Sequence, residues 1–351
     1  MLAELVDHVI GVDPDRDWIT VAAVDAHTTG VLATERFAAN RTGYEDAVLW
    51  ADGYSNGSER AWVIEGTASY GRGLASALER NGELVYEFDR PVRKASKDGA
   101  KSDALDAIRA AREALGRDEL ARPRAHDGRR EAIRVHSVAR DAAVRARTAA
   151  INELKALVVT ADELLRQDLR ELSTTRLVNR CSRFRDSEQR PIDARHTRLA
   201  MRALARRIQH LDGEVADHDR FLKALIDEAA PQLVAEPGIG YVTAAAFYIA
   251  WSHPGRCRNE AAFARLGGVA PIEATSGQNQ TRHRLCRRGD RQLNRALYLV
   301  AVTRKRVHPA TRDYIDRRTS EGKTDREATR CLKRYIARQV WRALERPLDN
   351  T

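Results

Sequence analysis

The chain has 351 residues, 43% hydrophobic and 31% charged, which suits a folded protein of two or three domains and excludes a wholly disordered one. Four cysteines are too few for a disulfide scaffold, and no run of about 18 apolar residues marks a membrane-spanning helix. The 60 basic residues exceed the 50 acidic ones by ten. Of the 60, 52 are arginine, a side chain whose planar fork suits phosphate, although a GC-rich genome also favours arginine. The charge is segregated. Residues 1–120 carry 14 basic and 22 acidic side chains, whereas residues 281–342 carry 19 basic and 6 acidic ones. That asymmetry points to a polyanion-binding face near the C-terminal end. The opening residues Met1–Asp7 lack the basic and apolar regions of a secretory leader, so a reducing cytoplasm is the expected location.

In chain order, residues 9–13, 18–24 and 30–34 read as strands, with a turn at His27–Gly30. Residues 43–51 read as a helix, Ala61–Glu65 as a strand, 72–80 as a helix, 84–88 as a strand and 102–115 as a helix. Hairpin-linked strands followed by alternating strands and helices predict a mixed α/β sheet. From Arg129 to about Leu172 no proline or glycine interrupts a helical composition. After a loop near Arg185–Pro191, Met201, Leu204, Ile208, Leu211, Val215, His218, Leu222 and Leu225 step by three and four. That seam predicts an antiparallel helical hairpin or an intermolecular coiled coil, with His218 as a register-fixing polar position. From Pro231 a third unit opens with Glu236-Pro237-Gly238-Ile239-Gly240. A small-residue helix over Thr243–Ala250 and two basic helices near 287–307 and 324–345 follow. The expected domains are an α/β domain over 1–125, a helical coiled-coil region over 126–230 and a basic, mainly helical domain over 231–351.

Acidic residues carry the first chemical signal. Asp13 and Glu65 each end a short apolar strand, so neighbouring strands would set both carboxylates at one sheet edge. Asp103 and Asp106 open a helix and share one of its faces. Converging carboxylates repel unless a cation neutralises them, and hard oxygen donors suit Mg²⁺ or Mn²⁺, which serve phosphodiester cleavage. Alternatively, Asp103 and Asp106 simply favour a helix N-terminus through its dipole. Asp15, Asp17 and Asp98 lie close enough in sequence to compete for these roles.

The Gly238–Gly240 turn before a helix resembles a helix-hairpin-helix that offers backbone amides to phosphate; the plain alternative is an interhelix turn. Tyr298 reads as core packing rather than as a tyrosine nucleophile. His253, Cys257, His283 and Cys286 lack the tight cysteine pairs of ordinary zinc modules. The basic helices bearing Arg304, Lys305, Arg306, Arg317, Arg318, Arg334 and Arg338 suit salt-sensitive contact with a nucleic-acid backbone.

The order of acid on the first strand, acid on a later strand and D-x-x-D on a helix resembles the RuvC and RNase H-like nuclease fold. Four C-terminal stretches extend the likeness: Glu236–Ala245, Phe263–Pro271, Ser276-Gly277 and Arg288–Leu297. Together with Gly11-Val12-Asp13, Glu65-Gly66-Thr67 and Lys101–Asp106, they resemble the DEDD transposases of bacterial insertion sequences. That family is related to the Piv and MooV DNA invertases and is also known as the bridge-RNA-guided recombinases. The resemblance covers nearly the whole chain and is least specific in the helical middle.

It implies a RuvC-like tetrad of Asp13, Glu65, Asp103 and Asp106 holding Mg²⁺ or Mn²⁺, and Ser276 as a nucleophile that forms a covalent link to DNA. It also implies double-stranded donor and target DNA, a structured non-coding RNA that selects them and a bacterial cytoplasmic location, while the seam between 199 and 226 implies self-association as a dimer or tetramer. On its own chemistry, Ser276 stands beside Gly277 in a polar stretch followed by Arg282, Arg284, Arg287 and Arg288, which suit an attacked phosphate; Arg291 follows. A Ser-Gly pair in a loop is otherwise an ordinary turn. Two rival readings remain: a metal-dependent junction resolvase that cleaves through water, and a non-catalytic nucleic-acid-binding protein.

Overall fold

The computed structural model describes residues 1–55, 59–88, 102–117, 120–124, 128–273, 283–285 and 289–346, with 272–273 and 283–285 described by backbone alone. Two compact units emerge. The first joins residues 1–128 to 251–259, and the second joins 129–250 to 260–351.

In the first unit β1 (His8–Pro14), β2 (Trp18–Asp25) and β3 (Val31–Ala38) form an antiparallel meander. Helix α1 (Arg41–Ser55) leads to β4 (Arg60–Glu65), which lies parallel to β1. Helix α2 (Arg72–Arg80) leads to β5 (Leu84–Phe88), parallel to β4. The five-stranded order is β3-β2-β1-β4-β5. The expected strands and helices of this region are therefore present, with ends shifted by a few residues.

Strand alternation sends Ile10, Val12, Trp62 and Ile64 to one face, where they pack with Ala47, Leu74 and Leu78 of α1 and α2. The opposite face carries Val9, Ala61 and Val63, packed against α3 (Asp103–Leu115) through Ala110, Ala111, Ala114 and Leu115. The central strands β1 and β4 are buried on both faces, as their unbroken apolar runs require. Edge strand β3 is mostly exposed and carries Glu35 and Arg36, charges that discourage pairing with another chain.

Gly11 is the contact that sets α3. A β-carbon built at Gly11 would lie 2.1 Å from the Ala107 carbonyl oxygen and 2.9 Å from Ala111. Only a residue without a side chain lets the helix backbone rest directly on β1. The Ser102 hydroxyl caps α3 by accepting the Leu105 amide at 3.2 Å, which fixes Asp103 and Asp106 in its first turn.

In the second unit α4 (Gly128–Thr160) ends earlier than its uninterrupted composition predicts. Polar caps end helices here without glycine or proline. Asp162 accepts the Leu165 amide at 2.9 Å and starts α5 (Glu163–Leu169), and Ser173 caps α6 (Thr174–Cys181). Helix α7 (Ile192–Ala229) packs Met201, Ala205 and Ile208 into a core with Leu154, Leu165 and Leu177.

Helices α4 and α7 run antiparallel, since the partner numbers fall from Glu228 to Asp212 on α7 between Arg129 and Arg147 on α4. The pairs are Arg129–Glu228 at 3.1 Å, His136–His218 at 3.1 Å, Arg140–Asp219 at 2.5 Å, and Arg147–Asp212. The seam of α7 is thus partly apolar and partly a polar ladder within one chain. His218 faces His136 there rather than a pure hydrophobic layer.

The chain continues through α8 (Pro231–Val234), α9 (Tyr241–Trp251), α10 (Glu260–Leu266), the short antiparallel pair β6 (Pro271–Glu273) and β7 (His283–Leu285), α11 (Arg291–Val307), α12 (Pro309–Ser320) and α13 (Asp325–Glu345). Helices α10 and α12 were not anticipated from sequence; α12 is built largely of polar and charged residues and shows only a faint apolar stripe, Thr311 and Ile315 being its buried positions. No described helix is long and apolar enough to cross a membrane.

Replacing Gly11 by valine should force α3 off β1 and lower the unfolding free energy in urea by about 3 kcal/mol, the upper range for overpacking. A change below about 0.5 kcal/mol would show that the close approach is not constraining.

Candidate active site and nucleic-acid interface

The sheet and its helix bring the acidic residues to one corner. Val12 pairs with Ile64 across the parallel strands, so the next residues, Asp13 and Glu65, end neighbouring strands about 4.8 Å apart. Both continue the alternation of Val9, Gly11, Ala61 and Val63 and therefore lie on the α3 side of the sheet. Helix α3 rests on Gly11 at Ala107, and near its other end Arg112 donates to the Thr29 carbonyl at 3.0 Å beyond the start of β1, so its first turn, with Asp103 and Asp106, lies toward the strand ends that carry Asp13 and Glu65.

Asp103 is exposed, and Asp13, Glu65 and Asp106 are half-buried. Asp106 accepts a hydrogen bond from Arg109 at 2.6 Å, which holds one carboxylate oxygen. The donor set is all carboxylate oxygen, which fits a hard divalent cation. Among the described residues, however, no three acidic, histidine or cysteine side chains are gathered closely enough to form a finished metal shell. The acids share a corner without closing on one point.

The nearby alternatives separate on geometry. Asp15 accepts the amides of Asp17 at 2.7 Å and Trp18 at 3.2 Å in the β1–β2 turn. These bonds, chiefly the one from Asp17, hold its carboxyl below the ordinary value. Asp17 is paired with Arg16 at 2.7 Å. Asp13 is therefore the acid that the strand itself delivers to the α3 face. Asp98 lies outside the described residues. Thr67, in the Glu65-Gly66-Thr67 turn, was not singled out as a site residue. It is fully buried, and its hydroxyl has no hydrogen-bond partner among the described residues; only the short Glu-Gly-Thr motif hinted at it.

In the second unit, Gly238 has φ +77° and a β-carbon there would meet the Arg304 side chain at 3.0 Å, so the turn requires glycine. Gly240 is open on the side where a β-carbon would stand. Its amide donates to the Thr243 hydroxyl at 3.0 Å, which in turn donates to the Gly240 carbonyl at 2.8 Å, capping α9.

Arg304 departs from the sequence expectation of a surface phosphate contact. It is buried at 4% exposure, and its guanidinium donates to the Pro237 carbonyl at 2.6 Å, Gln339 at 2.6 Å and Glu236 at 3.5 Å. An arginine so engaged anchors the hairpin and is not available to solvent. Lys305 donates to Asp325 at 2.5 Å.

Arg291 is exposed at the start of α11. Tyr298 also departs from expectation, being 52% exposed rather than packed in the core. Ser276, Arg282, Arg287 and Arg288 lie outside the described residues, and Arg284 is described by backbone only. His253 lies against the Pro123 carbonyl at 3.1 Å; Cys286 and the His283 side chain are outside the described set.

Comparison with known proteins defines the class. A model for the DEDD transposases of IS110 elements, described as "Transposase", matches residues 10–161. A second, described as "Transposase IS116/IS110/IS902 family", matches residues 231–316. The chain belongs to this family of DEDD transposases of insertion sequences. It is 28% identical over 366 residues to the "Insertion element IS900 uncharacterized 42 kDa protein" of Mycobacterium paratuberculosis, covering 89% of this chain and 90% of that relative. Over 105 residues it is 34% identical to the "Insertion element IS110 uncharacterized 43.6 kDa protein" of Streptomyces coelicolor, covering 30% of this chain and 26% of that relative. Membership implies DNA as substrate, cutting and joining as activity, and use of a divalent metal.

Replacing the buried Arg304 by methionine should cost about 2–4 kcal/mol, because the hairpin carbonyl and Gln339 lose their donor. Replacing the exposed Arg291 by alanine should stay within about 0.5 kcal/mol. Equal losses in urea unfolding would refute the division between anchoring and surface arginines.

Proposed function

We propose that this chain cuts and rejoins DNA through a covalent serine–phosphodiester intermediate, using Ser276 as nucleophile and a RuvC-like acidic centre of Asp13, Glu65, Asp103 and Asp106. The observation that carries the acidic half is the delivery of Asp13 and Glu65 to the sheet face on which α3 begins with its D-x-x-D pair. The meander β3-β2-β1 extended by parallel β4 and β5 supports an RNase H-like reading of the domain. Support for the serine half is the family match over 231–316, which spans Ser276.

Ser276 Oγ forms a bond to a backbone phosphorus as the bond to the departing DNA oxygen breaks, and a hydroxyl of the recipient strand later displaces the serine. Arg282, Arg284, Arg287 and Arg288 bind the attacked phosphate and offset its developing charge. The four carboxylates would hold Mg²⁺ or Mn²⁺, which when bound supplies Lewis-acid stabilisation at the reacting phosphate. A lone serine hydroxyl is a weak nucleophile and needs a base or a metal to activate it.

The Gly238 amide and the exposed Arg291 complete the proposed nucleic-acid contacts; the Gly240 amide, which donates to Thr243, and Lys305, which pairs with Asp325, are already engaged. The family resemblance supports donor and target duplexes chosen by a structured non-coding RNA. Assembly as a homodimer or tetramer draws no support from the α4–α7 hairpin, whose partners lie within one chain.

The test is covalent capture. Wild type, Ser276→Ala and Asp106→Ala are incubated with Mg²⁺, element-end DNA and RNA transcribed from the element's flanks. The reading predicts DNA bound to wild type under denaturing conditions and to neither variant. Cleavage without an adduct that survives Ser276→Ala but not Asp106→Ala would replace it with hydrolysis by the acidic centre.

A further inference from the structure

The C-terminal cations fall into two sets. One set is spent inside the fold. Arg304 is buried on the hairpin, Lys305 pairs with Asp325, Arg318 with Glu321, and Arg338 and Arg342 both with Glu260. The other set makes no ion pair among the described residues: it includes Arg291 and Arg295 on the first turns of α11 and Arg330, Lys333 and Arg334 on α13, as well as Arg306, Arg312, Lys323 and Arg326, which are spread from the end of α11 to the start of α13.

The first five belong to one surface. Lys333 Nζ donates to Asn294 Oδ1 at 2.7 Å, and Asn294 stands between Arg291 and Arg295 along α11. Arg330 and Arg334 lie one turn apart and flank Lys333 on α13. Arg291, Arg295 and Arg330 are exposed, and Lys333 and Arg334 are half-buried. Tyr298, one turn beyond Asn294 on α11, presents its ring to solvent.

The acids nearest in sequence are turned to capping. Asp290 accepts the amides of Gln292 and Leu293 at 2.9 and 3.0 Å, and Glu327 accepts the Thr324 amide at 2.9 Å. Burial first, and then the charge of Arg330, hold the Lys333 amine below its ordinary value.

We propose that this surface, formed by Arg291, Arg295 and Tyr298 of α11 and Arg330, Lys333 and Arg334 of α13, is the main grip of the C-terminal unit on a nucleic-acid sugar-phosphate backbone. It rests on the reading of the chain as a nucleic-acid-processing enzyme, and it moves the grip away from the Arg304–Arg306 and Arg317–Arg318 stretches that the sequence emphasised. Phosphates displace counterions at the five cations, and the Tyr298 ring offers a stacking platform to an unpaired base.

The test measures binding by fluorescence anisotropy between 50 and 300 mM salt (a range of the kind that separates phosphate contacts), with full-length protein carrying Ser276→Ala so that cleavage plays no part. Two probes are used: a generic DNA duplex and an RNA hairpin of arbitrary sequence. The triple change Arg291→Ala, Arg295→Ala and Arg330→Ala should weaken binding at least about tenfold and lower the slope of log affinity against log salt by about 2–3, roughly one per lost phosphate contact. A control triple at the exposed Arg306, Arg312 and Arg317 should stay within about twofold. Arg295→Gln alone, a mild surface change, should lose about two- to threefold and guards against misfolding of the triple.

Loss with only the duplex names DNA as the bound backbone, loss with only the hairpin names RNA, and loss with both names a shared site. An unchanged salt slope, or an equal loss in the control, overturns the proposal. Failure of the serine chemistry leaves this readout unaffected.

Discussion

The first unit depends on one close contact, the backbone of α3 lying on Gly11. A side chain at that position would collide with the Ala107 carbonyl, so the helix can approach β1 only because the residue has none. The approach does more than fill a layer. It fixes the depth and direction of α3, and the Ser102 cap fixes where the helix starts. Those two facts together decide where Asp103 and Asp106 stand relative to the strand ends bearing Asp13 and Glu65. The sheet contributes the rest, since parallel register and two-residue alternation put both strand acids on the same face. The meeting of acids at this corner therefore follows from packing rather than from any attraction between the acids, which repel one another.

The second unit depends on a different device. Arg304 is a buried cation, and a buried cation is tolerable only when its donors are met. The Pro237 carbonyl, Gln339 and Glu236 meet them, so one side chain joins the glycine turn to α11 and α13. This explains why counting basic residues misleads as a map of binding. The net excess of the segment is real, but part of it is internal mortar. Among the cations left unpaired, those at the start of α11 and on α13 are joined by the bond from Lys333 to Asn294.

Much of the fold was legible in the sequence because its signals are strong and local. Val9–Asp13 and Ala61–Glu65 are short apolar runs ending on an acid, and both are strands in the expected places. The helix over 102–115 was legible from its composition, and the structure adds the Ser102 cap that starts it. The early end of α4 was not, because Asp162 stops it with a side-chain acceptor and leaves no glycine or proline to read. Helix α12 was missed because its faces are polar nearly all round, which periodicity does not detect. Among site residues, Asp13 could not be told from Asp15 by composition; in the structure Asp15 accepts the turn amides of Asp17 and Trp18. The burial of Arg304 and the exposure of Tyr298 were invisible because neighbouring positions on a helix face opposite ways, and their tertiary partners lie tens of residues away.

The claim on which the rest stands is that acids from two strands and one helix act as a single cation site. Titration with Mn²⁺, followed by water-proton relaxation, addresses it without DNA, RNA or turnover. The account predicts saturable binding by wild type, weakened at least about tenfold by each of Asp13→Asn, Glu65→Gln, Asp103→Asn and Asp106→Asn, with Asp15→Asn unaffected. Binding insensitive to the strand acids, or absent from wild type, would contradict it.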